Sequence, residues 1–224
     1  MKEIYTAVGQ FTRKSDSEGN AHPVITLGKI EYIPDIHELI IWTIMSWRIQ
    51  NRKQIKQQYR ANLDNAKLAP HEDFGFHFEQ LLTHGLIVKG NGETDADAIY
   101  DLFAGLHIVP VVSKLTTKIY TFLKLVLFRD VRFKIAASEI FRKSTISDDE
   151  RKVMALAKQN ILSTSELIAC VEKDSWDGYT DINDQYSNEY VTVVTTAANF
   201  DCKIPILTAI ANLYIRKQII FQRI

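Results

Sequence analysis

Between Arg48 and Lys67 six bases (Arg48, Arg52, Lys53, Lys56, Arg60 and Lys67) stand against a single acid, Asp64. Cationic groups gathered in this way can grip a line of phosphates, each displacing a condensed counterion. No comparable signal points to bond making. Gly90-Asn91-Gly92 is followed by Glu93 and Thr94, where a phosphate loop would carry Lys and Ser or Thr. A Gly-x-Ser-x-Gly elbow for a serine nucleophile is missing from the sequence. His71, His77 and His84 lie close together, with His77 and His84 seven residues apart on roughly one helix face. Metal ligands sharing a helix are more usually four apart, and neither Cys170 nor Cys202 is near. The expectation is therefore no catalytic residue, no metal and no cofactor: the chain does not read as an enzyme.

Charge is distributed in blocks, although the 224 residues sum to a net charge of zero. Lys114 to Lys143 holds eight bases against Asp130 and Glu139, whereas Asp148 to Asp201 holds eleven acids against four bases. Such blocks suit one DNA-facing side, head-to-tail self-association, or plain solvated faces. The acidic stretch includes Asp174, Asp177, Asp181, Asp184 and Glu189, interleaved with Trp176, Tyr179, Tyr186 and Tyr190. Its spacing does not match a calcium loop. It reads as a solvated loop or, if functional, as a segment that docks a protein partner. Two cysteines are too few for a disulfide framework, and 46% hydrophobic residues is ordinary for a globular protein. No apolar run is long enough for a membrane span, and Met1-Lys-Glu-Ile-Tyr reads as the start of a strand rather than a leader. The expected location is cytoplasmic.

Periodicity and caps lay out the elements that would position these groups. Ile4 to Phe11 and Val24 to Ile33 read as two strands joined by the turn residues Ser15 to Asn20. Asp35-Ile-His-Glu38 has the form of a capping box, with Ile36, Leu39, Ile40, Thr43, Ile44 and Trp47 on one face of the helix that follows. A second helix spans Arg52 to Leu63, and a third runs from Pro70 to His84. Gly85 stops the third helix, Leu86-Ile87-Val88 forms a buried strand, and Asn91-Gly92 predicts a hairpin tip. Ala96 to Leu106 has helical spacing. The nearly all-round apolar helix Lys114 to Phe128 is either the spine of the core or a dimer interface. Ser147-Asp-Asp-Glu150 and Ser163-Thr-Ser-Glu166 are two more capping boxes, sixteen residues apart. Aligning Leu82 to Val88 with Ile215 to Phe221 then suggests a second, truncated copy of the same helix-to-strand pattern.

Strand, three short helices, strand and glycine-rich tip, as quoted, resemble the winged-helix (winged helix-turn-helix) superfamily. The likeness covers residues 34 to 95 well and 147 to 224 loosely, and no narrower family is indicated. It implies an α+β, mainly α, fold: tandem winged-helix domains with an N-terminal β-hairpin. The implied divisions are 1–33 (hairpin packing on the first domain), 34–112 (winged helix), 113–146 (connecting helices) and 147–224 (a degenerate second winged helix). The resemblance further implies a non-catalytic DNA-binding transcriptional regulator acting as a homodimer on double-stranded DNA. Phosphate contacts would fall to Arg48, Arg52, Lys53, Lys56 and Arg60, with Lys89 and Asn91 at the wing and His77 and Gln80 near base edges. Glu72, Asp73 and Glu79 on the third helix depart from that pattern, since they would face phosphates. The alternative is an interaction adaptor without DNA binding, docking a protein through residues 174–190.

Overall fold

The computed structural model describes residues 1–66, 73–111, 146–172 and 200–223. They form a mixed α+β fold of helices and small antiparallel sheets. The expected connecting helices 113–146, the apolar helix Lys114 to Phe128 and the acidic segment 174–190 lie outside the described residues.

Strand β1 (Lys2–Ala7) is followed by a meander of β2 (Gln10–Ser15), β3 (Ala21–Leu27) and β4 (Ile30–Tyr32). The break between β1 and β2 falls at Gly9, whose φ of 96° favours glycine. Three helices follow: α1 (Ile36–Met45), α2 (Arg52–Ala66) and α3 (Phe74–Thr83). Strand β5 (Ile87–Gly92) completes this half by pairing antiparallel with β1, Ala7 opposite Ile87 and Lys2 opposite Gly92. The other edge of β1 is held by a reciprocal Tyr5–Gln50 backbone pair between α1 and α2.

The pattern then recurs. Helix α4 (Asp95–Phe103) leads into β6 (His107–Pro110), which pairs antiparallel with β7 (Ile219–Gln222) at the far end of the chain. Between them come α5 (Asp148–Gln159), α6 (Thr164–Glu172) and α7 (Phe200–Ile215). An isolated bridge from His107 to Ser163 repeats the Tyr5–Gln50 pair. Capping boxes open α1 at Asp35 and α5 at Ser147. Asn51 with Gln54, and Ser163 with Glu166, do the same for α2 and α6. In both halves the two caps stand sixteen residues apart. Buried positions correspond along with the caps: Ile41 with Val153, Ile44 with Leu156, Ile55 with Leu167, Phe78 with Ile210 and Leu81 with Leu213.

Helix ends fix the alignment of the two halves and correct it by one residue. Leu86 N–H bonds Leu81 O at 2.9 Å and Gly85 N–H bonds Leu82 O at 3.0 Å. Gln218 N–H to Leu213 O (2.9 Å) and Lys217 N–H to Tyr214 O (2.8 Å) repeat that Schellman geometry. Gly85 (φ 70°) therefore matches Lys217 (φ 60°), so Leu82 corresponds to Tyr214 rather than to Ile215. The second copy places a lysine where glycine is usual, so the residue types alone were misleading.

The hairpin tip expected at Gly90-Asn91-Gly92 is not formed. Strand β5 runs straight through it, paired along its length with β1. These glycines are needed for close approach instead. A Cβ on Gly90 would stand 2.3 Å from Ala98 O, and one on Gly92 would stand 2.3 Å from Ala98 N. Helix α4 thus lies directly on the bare strand, burying Ala98, Leu102 and Phe103. The expected N-terminal hairpin exists as β2–β3, whereas the residues before it belong to the β1–β5 sheet.

Gly90→Ala should therefore cost about 2–3 kcal/mol through overpacking. Gly105→Ala, where nothing lies within 4 Å of the added Cβ, should be close to neutral. Urea unfolding of the two variants compares them directly; equal midpoints would contradict the helix-on-strand contact.

Candidate nucleic-acid interface and the junction cavity

The bases expected to grip phosphate separate once α2 is formed. Ile55, Tyr59 and Leu63 turn one face of α2 into the core. Lys53, Lys56 and Arg60 fall in one sector of about 60° on a flank of the helix, about 90° round from that buried face, given 3.6 residues per turn. All three are exposed. Arg52 is committed to α3: its Nη1 lies 3.0 Å from Glu79 Oε1, and its guanidinium stands 4.9 Å from the Phe78 ring centroid. Arg48 reaches the opposite flank of α2, donating to Gln58 Oε1 at 2.8 Å.

Three further candidates lose the positions expected of them. Lys89 and Asn91 sit within strand β5, not on a tip. Lys89 Nζ is 3.4 Å from Glu3 on the neighbouring strand, and Asn91 N–H donates to Asp101 at 2.8 Å. His77 is turned inward, its side chain only 12% exposed, and it stacks on His37 with ring centroids 5.0 Å apart. It cannot present itself to a base edge. Gln80 stays half-buried on α3, beside the exposed Glu79 and Phe76.

The acids of α3 have local duties that the sequence did not reveal. Asp73 caps the helix by accepting from Phe76 N–H at 2.8 Å, and Glu79 is paired with Arg52. Glu72 lies outside the described residues. Asp35, Glu38 and His77 bring possible metal-ligand atoms within 4.8 Å of one another. However, Asp35 Oδ1 accepts from the His37 and Glu38 amides, and Glu38 Oε2 accepts from Asp35 N–H. A cation there would oppose the positive end of α1. His77 Nδ1 is 3.1 Å from Asp35 Oδ2, yet off the line that a ring N–H bond requires. The trio reads as an extended helix cap. His84 ends α3 and packs against Tyr32, ring centroids 4.7 Å apart.

A second feature arises where the halves meet. The Tyr214 hydroxyl accepts from Thr6 Oγ1 (2.8 Å) and Trp47 N–H (2.9 Å) and donates to Ala7 O (3.1 Å). Gly9 N–H bonds Phe221 O at 2.9 Å beside it. Above this seam opens a cavity of about 1040 Å³, walled by Trp42, Trp47, Phe11, Val109, Pro110 and Ile220, with Arg48 and Lys217 at its edge.

Comparison with protein-family models, curated proteins and solved structures finds no match. Among the described residues no helix is long and apolar enough to cross a membrane. The basic face of α2 also has no counterpart in the second half, because Thr164 to Glu172 contains no Lys or Arg. Sequence reading placed the bases on the right helix but not the cavity, whose wall comes from segments more than a hundred residues apart.

Burial pushes the Tyr214 phenol up from 10 to about 12. Between those values the unfolded chain holds fewer protons than the folded one, so stability falls as pH rises through that window. Tyr214→Phe should remove this share of the alkaline loss. At neutral pH it should cost about 1–3 kcal/mol, because the Trp47 N–H loses its acceptor, whereas the Thr6 hydroxyl keeps Arg48 O at 2.8 Å. Urea unfolding at neutral pH and across the alkaline window measures both effects; an unchanged alkaline profile would contradict the buried phenol.

Proposed function

We propose that this protein binds duplex DNA non-catalytically through its first helical half, in the manner of a winged-helix transcriptional regulator. The observation that carries the reading is one flank of α2, where Lys53, Lys56 and Arg60 lie together and exposed. Eight residues of helix extend about 12 Å, so these three bases can follow one phosphate strand. The pairing of Glu79 with Arg52 supports it, since the nearest acid on α3 is already neutralised. In this reading β1 and β6 take the place that a wing's return strand fills elsewhere, so no wing tip takes part. Arg48, His77, Lys89 and Asn91 leave the contact set, and Gln80 remains the nearest group to a base edge.

A specific feature favours a second reading, a protein-docking adaptor. Ile30, Ile33 and Ile36 are 70%, 63% and 52% exposed along β4 and the start of α1. Among the described residues β4 has a neighbouring strand on one side only, so an extended peptide could add to its other edge.

Fluorescence anisotropy with a mixed-sequence duplex at two salt concentrations separates these readings. DNA binding should weaken steeply with salt. Reversing Lys53, Lys56 and Arg60 to Glu should weaken it at least about tenfold and lower the salt slope by roughly one per lost contact. Lys89→Gln should leave it unchanged. Absence of binding at low salt, or indifference to the triple reversal, would remove the DNA reading and leave the β4 edge as the surface to pursue.

A further inference from the structure

We infer that the cavity between the two halves is a binding site for an amphipathic carboxylate, a small molecule with an apolar body and one anionic head. Its volume, about 1040 Å³, is at the upper end of the range of small-molecule pockets. The wall is apolar and in part wet: Phe11, Val111 and Ile215 are 40%, 40% and 54% exposed, and all three face this one concavity. Exposed apolar side chains gathered in a concave surface mark a place where something binds.

The charge of the lining selects the head group. Two cationic residues belong to the lining, Lys217 and Arg48 (whose Nη1 also donates to Gln58 Oε1 at 2.8 Å), and among the described residues no Asp or Glu does. Both are exposed, so they stand where the cavity meets water. Gln10, Thr43 and Ser46 add neutral polar groups. An alkyl or aromatic chain against Trp42, Pro110 and Ile220, with its carboxylate between Arg48 and Lys217, satisfies both parts of the wall. A cationic head would meet two like charges, and a plain hydrocarbon would leave them unused.

The backbone supplies an independent reason. Among the described residues the only non-glycine positive φ values are those of Trp47 (57°) and Lys217 (60°). Both residues line the cavity, and Lys217 Nζ stands 5.4 Å from the Trp47 ring centroid. Each occupies the position after a helix end where glycine is ordinary, as Gly85 is on α3. Left-handed strain in non-glycine residues collects at ligand clamps. Here the residues that bear it are one aromatic and one cation, the two groups that such a ligand requires.

Calorimetric titration of the full chain with dodecanoate, kept below its micelle concentration, tests the site without reference to DNA. Saturable one-to-one binding is expected, with dodecanol weaker by about tenfold and dodecylammonium not bound. Lys217→Gly removes the cation and relieves the strained φ, so its melting temperature should not fall while dodecanoate affinity drops about tenfold. Arg48→Gln should act alike, neither variant changing dodecanol affinity. Thr43→Phe, which fills the cavity from an exposed position, should abolish binding of both probes. No saturable binding, equal affinity for all three head groups, or binding untouched by Thr43→Phe would overturn the inference. These results are separable from the duplex titration, which reads Lys53, Lys56 and Arg60 alone.

Discussion

One phenol bridges the two halves of this protein within the apolar cluster that runs from Val8 and Val88 to Ile210 and Phe221. Tyr214 comes from the last helix of the second half, yet all three of its hydroxyl partners belong to the first: Thr6 and Ala7 on β1 and Trp47 after α1. A buried hydroxyl offers one donor and two acceptor positions: Ala7 O and Trp47 N–H take one of each, and the Thr6 hydroxyl, whose single hydrogen also faces Arg48 O at 2.8 Å, stands at the third. This is the favourable case for a polar group in an apolar seam, because no desolvation cost goes uncompensated. The bonds also fix which part of β1 lies against α7. β1 is itself clamped between β5 and the Gln50 bridge, so the position of the second half is passed to every element of the first.

The repeat explains how such a seam can exist. Among the described residues each half has three helices and a closing strand, and each closing strand pairs with a strand from before those helices rather than after them. This arrangement leaves no wing tip free and brings the start of the chain beside its end, where Gly9 bonds Phe221. The halves have diverged in what they show to solvent, not in how they are built. Ile41 and Val153, or Phe78 and Ile210, are equally buried, whereas α2 carries a basic face and α6 carries none.

How far the sequence told this depends on the range of the interaction. The capping boxes at Asp35, Ser147 and Ser163 and the helix stop at Gly85 were legible because each is settled within six residues. The α+β character and the base-rich second helix were legible for the same reason. Asn91-Gly92 misled because the glycines answer to α4 packing on the strand, and a missing Cβ looks the same in a turn as under a helix. His77 looked available because nothing local says that His37 and Asp35 will enclose it. The cavity was invisible, since Phe11, Trp47, Val109 and Lys217 become neighbours only through the β6–β7 pairing together with the seam between the halves.

That seam also accounts for the strain in the cavity wall. A tryptophan in the left-handed region costs on the order of 1–2 kcal/mol and needs neighbours that over-determine it. Trp47 has such a neighbour, because its own N–H is the one that donates to Tyr214 Oη at 2.9 Å. Releasing the backbone to a relaxed φ would strip that bond and leave the buried oxygen short of a donor. Lys217, three residues beyond Tyr214 on the same helix end, is carried into place by the same junction. The aromatic and cationic parts of the wall are therefore set by the interaction that joins the halves, and neither half alone would hold both.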